Sequence, residues 1–304
     1  MKKITFFLIG IIAFAACTNK ADELYKQAVT KLNAHDFQGA IAKFDSVILL
    51  DDKNMLAYIN RGNAKFDVDD FEGSLADYNK AISMSSDKDL DPGIYCNRAD
   101  VYWQLEKFDE AMKDYTKAID MKPDYDSALV GRGKTFLAMG DFVNAKTDIE
   151  KAITINNGNA SAHYALGDVV YNLKDYELSI LEYTKAIELK STEMIYFLDR
   201  GDAYYMVENF DKAVADYSKA IEMNPQLPAT YVLRGDALDD SGKPSEAIED
   251  YNKAIAIDSL YASAYYNRGV TLKKMGDKKS ACADFIKADG LGDENAAGYL
   301  KDCK

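Results

Sequence analysis

Histidine occurs twice in this chain, tryptophan once, cysteine four times and proline five times. So little His and Cys leaves scant material for a zinc centre or a thiol-based mechanism. Five Pro and 18 Gly exclude a collagenous or proline-rich chain. Positive charge is also short. There are 37 Lys and Arg against 50 Asp and Glu, so the net charge is −13 and the pI about 4.7. Such a chain repels phosphate backbones, which argues against sequence-independent nucleic-acid binding. Long apolar runs are confined to the N-terminus. What is present is a globular composition of 304 residues, 48% hydrophobic, enough to offset chain entropy and to fill about two domains. The count that stands out is 21 Tyr, an excess that points to something repeated.

The chain opens MKKITFFLIGIIAFAAC. Lys2 and Lys3 form a positive n-region, and Ile4 to Phe14 an apolar run fit for a signal peptide but too short to span a bilayer. Phe14-Ala15-Ala16-Cys17 resembles a bacterial lipobox, with Phe where Leu is usual. By that resemblance residues 1–16 are removed, Cys17 is lipidated, and residues 17–20 form an anchored linker. Cleavage takes away two lysines and moves the charge from −13 to −15. Ala13-Phe14-Ala15 also reads as an ordinary cleavage site, giving an unlipidated exported protein. The lipobox is the preferred reading. Thr18, rather than Asp, after the Cys implies the outer membrane instead of inner-membrane retention.

Three series of small residues share one spacing. Gly62, Ala99, Gly133, Gly167, Gly201, Gly235 and Gly269 recur every 34 residues after a first interval of 37. Ala40, Ser74, Ala111, Ala145, Ser179, Ala213, Ala247 and Ala281 keep the same offsets, as does the series from Val47 to Ala288. Segments such as FDEAMKDYTKAIDM (108–121) and FDKAVADYSKAIEM (210–223) carry helical periodicity.

This pattern resembles the tetratricopeptide repeat, a 34-residue helix–turn–helix. The resemblance implies an all-α, right-handed α-solenoid of eight repeats, at 21–54, 55–91, 92–125, 126–159, 160–193, 194–227, 228–261 and 262–295. A small residue in the first helix admits the second helix. Phe44, Tyr78, Tyr115, Ile149, Tyr183, Tyr217, Tyr251 and Phe285 share one core position, so much of the Tyr excess is packing. Each hairpin buries too little alone, and stability accumulates between neighbours.

Seven repeats place an acid three residues before a Lys, from Asp77/Lys80 to Asp284/Lys287. Such pairs support a helix by about 0.2–0.5 kcal/mol each. Six carry Arg before the small residue, at Arg61, Arg98, Arg132, Arg200, Arg234 and Arg268, within reach of the same acids across the hairpin. After the last repeat, residues 294–304 are expected to form a C-terminal capping helix. Cys282 and Cys303 lie on the two arms of the turn before it, so a disulfide is the preferred reading over two free thiols in an oxidising envelope. Cys96 reads as a small apolar core residue.

Three motifs mimic chemistry. Residues 128–135, ALVGRGKT, look like a phosphate loop but have Ala128 in place of its first glycine and lie mid-helix. Asp87, Asp89 and Asp91 begin like a calcium loop, yet Pro92 and Arg98 stand where Gly and Glu are required. This is a weak calcium candidate on the three-residue insertion, and an acidic linker is preferred. His163 falls on a core position and His35 in a turn. No nucleophile, base and orienting group can be assembled from spacing, so neither an enzyme nor a cofactor is expected.

First helices line the groove in this family. The residues expected there for a partner are Phe66, Asp100, Trp103, Tyr164, Asp168, Tyr171, Asp202, Tyr205, Asp236 and Tyr266, with Lys273 and Lys274 as a basic patch at one end. Asn60, Asn63 and Asn97 give only a fragment of the clamp by which some relatives hold a partner's C-terminal carboxylate. Acid with aromatic suits a basic or amphipathic polypeptide. The expected function is therefore a lipid-anchored protein–protein scaffold in envelope assembly or secretion. The alternative is an envelope protein, or accessory enzyme, whose groove holds a small ligand or glycan.

Overall fold

The computed structural model describes residues 20–84 and 90–303. Every regular element among them is helical. Helix α1 covers 20–33. It is followed by α2 Phe37–Leu50, α3 Met55–Phe66, α4 Phe71–Ser83, α5 Pro92–Gln104, α6 Phe108–Met121, α7 Asp126–Ala138 and α8 Phe142–Ile155. Then come α9 Ala160–Asn172, α10 Tyr176–Leu189, α11 Met194–Met206, α12 Phe210–Met223, α13 Pro228–Asp240, α14 Pro244–Ile257, α15 Ala262–Lys274 and α16 Lys278–Gly290. The chain divides into two compact units, one ending at Ile155 and one beginning at Asn156. Each unit holds four helical hairpins, α1–α8 in the first and α9–α16 in the second. Within a unit the second helix of each hairpin packs on the first helix of the next. Each unit is an all-α stack of tetratricopeptide-type hairpins.

Local chemistry sets the helix ends. Asp36, Asn54, Asp70, Asn159, Asp175 and Asp277 accept hydrogen bonds from first-turn amides, and Pro92, Pro228 and Pro244 occupy first-turn positions that need no donor. The hairpin turns share one device, a residue with left-handed backbone at His35, Asp69, Glu106, Gly140, Lys174, Glu208, Gly242 and Gly276. Five of these eight carry a side chain and sit in a region that disfavours one.

The small-residue series explains the packing. A Cβ on Gly201 would stand 2.7 Å from the Tyr217 ring, and one on Gly235 2.6 Å from Tyr251. Ala40, Ala111, Ala145, Ala213 and Ala247, at the small position of their second helices, are fully buried. Repeat three has Ala99 at the contact. Its Tyr115 ring lies so close to Gly131 of the next hairpin that a Cβ there would meet it at 2.4 Å.

The C-terminus differs from the expected α-helix. Two 3-10 turns form instead, Ala296–Gly298 and Leu300–Cys303. About ten residues are too few to hold an α-helix by themselves, Gly298 weakens one further, and a Cys282–Cys303 disulfide ties the segment to α16. Tyr299 stacks on Phe285 with ring centroids 4.5 Å apart and meets Tyr266 at 5.9 Å. The segment thus covers the apolar face of the last hairpin.

Residues 1–16, Cys17 and most of the 17–20 linker lie outside the described residues, as do Asp87 and Asp89. No described helix is long and apolar enough to cross a membrane.

Candidate functional site

Two sets of carboxylates occupy the hairpins, and the structure treats them differently. The first set is Asp77, Asp114, Asp148, Asp216, Asp250 and Asp284 on the second helices, all buried. Each is gripped by the Arg of its own hairpin through Nε and Nη2, at 2.5–2.9 Å. The third guanidinium nitrogen reaches back one repeat, as from Arg234 Nη1 to Ser218 Oγ at 3.0 Å and from Arg200 Nη1 to Thr184 Oγ1 at 3.1 Å. One residue thereby closes a hairpin and joins it to its predecessor. The pairing expected between these Arg and the acids across the hairpin is present, and it prevails over pairing with the Lys three residues on. The planar fork takes both carboxylate oxygens, and Lys219, three residues after Asp216, turns to Glu222 instead. Repeat five has Leu166 in place of Arg. There His163, buried, meets Glu182 at 2.7 Å.

The second set lies on the first helices, among the expected partner-binding residues. The tyrosines at the shared core position do not only pack. Tyr115 donates to Asp100 at 2.5 Å, Tyr183 to Asp168 at 2.8 Å, Tyr217 to Asp202 at 2.7 Å and Tyr251 to Asp236 at 2.8 Å. Tyr78 donates to Asn63 in the same way. Sequence reasoning missed this link although its signal is present. Where Ile149 replaces the Tyr, the residue fifteen earlier is Lys134, and where Phe44 and Phe285 replace it, Val29 and Val270 stand there. Losing the hydroxyl goes with losing the carboxylate.

In the second unit further donors join the ladder. Tyr164 donates to Asp199 at 2.6 Å, Tyr205 to Asp240 at 2.5 Å and Asn267 to Asp236 at 2.8 Å. Each links one first helix to the next. Burial pushes the carboxyls of Asp100, Asp199 and Asp236 up to about 6, and raises Asp202 in the same direction. Neutral hydroxyls and amides offset part of the desolvation, joined at Asp100 by the charge of Lys134.

The aromatic residues fall in several settings. Tyr164 stacks on Tyr196 at 4.6 Å. Tyr171 packs edge-on against Tyr176, and Tyr205 against Phe210. Tyr171, Asp202, Tyr205 and Asp236 come together, with Met206, Tyr217 and Leu233, around a cavity of about 180 Å³. Phe66, Asp100 and Trp103 belong to the first unit, where Phe66 meets Phe71 and Trp103 meets Phe108 edge-on. The Trp103 indole nitrogen is buried without a partner. Tyr266 belongs to the C-terminal cluster with Phe285 and Tyr299.

The basic patch dissolves. Lys274 pairs with Asp239 at 2.7 Å and Asp240 at 3.7 Å, while the Lys273 ammonium sits 4.7 Å from the Tyr299 ring centroid. Asn60 bonds Tyr25 and Asn63 accepts from Asn97, both between repeats, while Asn63 also accepts from Tyr78 within its own hairpin. Residues 128–135 lie inside α7, and a Cβ on Gly133 would meet Ile149 at 2.6 Å, so these amides are helical rather than a phosphate cradle. Asp91 caps α5 through the Gly93 amide. Among the described residues, no group of three His, Cys, Asp or Glu side chains is placed to hold a metal. Cys96 is buried, and burial raises its thiol pKa.

Stacked hairpins sewn by buried Arg–Asp pairs, with a Tyr–Asp ladder along their first helices, define a helical-repeat interaction module. Family profiles described as tetratricopeptide repeat match residues 56–88, 92–125, 131–193, 196–227 and 262–291, and one described as TPR repeat matches 235–276. Together these cover most of the chain, which belongs to the tetratricopeptide repeat family. Comparison with curated protein sequences finds no match. Among solved structures, a tetratricopeptide repeat protein from Parabacteroides merdae is similar at TM-score 0.61 and 20% identity, over 84% of this chain and 99% of that one. The C-terminal part of a TPR protein from Cytophaga hutchinsonii is similar at 0.59 and 22%, over 80% and 99%. YrrB, a TPR protein with an unusual peptide-binding site, is similar at 0.53 and 22%, over 62% and 95%.

Proposed function

We propose that this chain is a non-enzymatic scaffold that holds a basic or amphipathic polypeptide along the first-helix ladder of its second unit. It acts from a lipid anchor on Cys17 at the bacterial outer membrane, in envelope assembly or secretion. The observation that carries the reading is the run of Asp199, Asp202 and Asp236 beside Tyr164, Tyr171 and Tyr205, partly buried and bonded to neutral donors. Acid with aromatic attracts a cationic chain and excludes an acidic one. YrrB, with its peptide-binding site on the same fold, lends the reading analogy only. The cavity of about 180 Å³ is smaller than the roughly 300–1,000 Å³ of a typical small-molecule site, which favours an extended polymer over an enclosed ligand.

The test is affinity purification of the tagged full-length protein from detergent-solubilised envelopes, beside a folded Tyr171→Ala/Tyr205→Ala variant. A partner present with the first and absent with the second is expected. Capture of no protein by either would overturn the scaffold and move the search to glycans. Palmitate labelling that survives Cys17→Ser would overturn the anchor.

A further inference from the structure

The cavity among α9, α11, α12 and α13 differs from the Arg-gripped carboxylate sites of the second helices. Its walls are Tyr171, Tyr205 and Tyr217 rings with Met206 and Leu233, and two carboxylates, Asp202 and Asp236, line it. The buried carboxylates of the second helices each own an Arg, and Asp239 and Asp240 share Lys274. Asp202 and Asp236 receive only the Tyr217 hydroxyl in one case, and the Tyr251 hydroxyl and Asn267 amide in the other. Among the described residues no cation pairs with either.

We infer that this cavity is a socket for one cationic side chain, lysine or arginine, of the polypeptide held on the ladder. It rests on the polypeptide-binding reading above for the source of that cation. Three lines of chemistry meet here. A volume of about 180 Å³ suits a single long side chain and is too small for a folded element or a saccharide chain. The rings and the apolar Met206 and Leu233 accept a methylene stem, which long basic side chains bury readily. Tyrosine faces attract a cation, and more strongly once it is desolvated. Two carboxylates, Asp202 and Asp236, line the same cavity in partly buried surroundings, where an ion pair is screened less than in water. Their raised pKa values express the same uncompensated charge.

The test uses four acetylated, amidated alanine pentapeptides whose central residue is lysine, arginine, norleucine or citrulline. Binding to the full chain is followed by NMR of the Tyr171 and Tyr205 rings. The lysine or the arginine peptide, or both, should saturate with a Kd on the order of 1 mM, and the lysine/arginine contrast identifies the preferred cation. The neutral peptides should bind at least tenfold more weakly. Asp202→Asn/Asp236→Asn keeps the side-chain shapes and should reduce the cationic peptides to the neutral level. Equal binding of norleucine and lysine together with citrulline and arginine, no ring shifts with any peptide, or unchanged binding to the double Asn variant would each overturn the socket. The scaffold reading fails separately. If envelopes yield no partner while the lysine peptide saturates, the socket stands and the scaffold falls. If a partner is lost with the aromatic variant but kept with the double Asn variant, the scaffold stands and the socket falls.

Discussion

Replacing Asp236 with asparagine should stabilise the second unit at neutral pH and leave it nearly unchanged in acid. The carboxyl sits between the Tyr251 hydroxyl and the Asn267 amide, with Asp239 and Asp240 on its own helix. Burial raises it from an ordinary 3.8 to about 6. A raised acid stabilises the fold below its unfolded pKa and loses that contribution as pH rises through the folded value. At pH 7.5 the ionised group therefore costs about 3 kcal/mol relative to the protonated one, and at pH 4.5 about 1 kcal/mol. Asparagine keeps the acceptor for Tyr251 and gives up the charge-assisted part of its bonds, about 1 kcal/mol. The variant should gain about 2 kcal/mol on the wild type between pH 4.5 and 7.5. Urea melts at stepped pH give the whole-chain value. Amide exchange in α13 and α14 locates it, which matters because repeat arrays need not unfold in one step. A difference between variant and wild type that stays flat across this range, or that grows in acid, would refute the assignment of an uncompensated carboxylate. Asp199 and Asp202 are raised in the same direction, so the wild type itself should melt higher at pH 5 than at pH 7.5.

Gly201→Val should destabilise the array by about 1–3 kcal/mol through overpacking against Tyr217, and an unchanged thermal melt would contradict the 2.7 Å approach. Arg234→Met leaves buried Asp250 without its bidentate partner, and should cost about 3–5 kcal/mol by urea titration; a loss below 1 kcal/mol, the level of an exposed pair, would show that the clasp is solvated. Reducing Cys282–Cys303, which closes a loop 21 residues apart in sequence, should remove about 3 kcal/mol of local stability. Limited proteolysis should then cut near Tyr299 first, and identical cleavage with and without reductant would rule out the staple.

Much of the fold was legible because it is periodic, and periodicity is local. A small residue every 34 positions marks where one helix must approach another, and helix starts at Met55, Pro92, Asp126, Ala160, Met194, Pro228 and Ala262 stand in constant register with it. The partner-binding face was legible only as a set of residue types. Tyr171, Asp202, Tyr205 and Asp236 were expected on one face, and they do line one cavity. Phe66 and Trp103 belong to the other unit, and Tyr266 to the terminal cluster. Lys274 looked like free positive charge until its two aspartates were in view.

The sequence by itself determined the repeat length, the helical hairpin, the core aromatic position and the excess of acid. Each follows from hydrophobic spacing and side-chain size along one helix. Tertiary structure decided which donor each carboxylate meets. An acid three residues from a Lys and sixteen from an Arg has two suitors, and only the angle between the two helices brings the guanidinium fork onto both oxygens, as Arg234 does with Asp250. The same geometry leaves Asp202 and Asp236 with neutral donors alone. It also makes 3-10 turns of the last residues, where a disulfide and the stacking of Tyr299 on Phe285 outweigh a weak helical propensity.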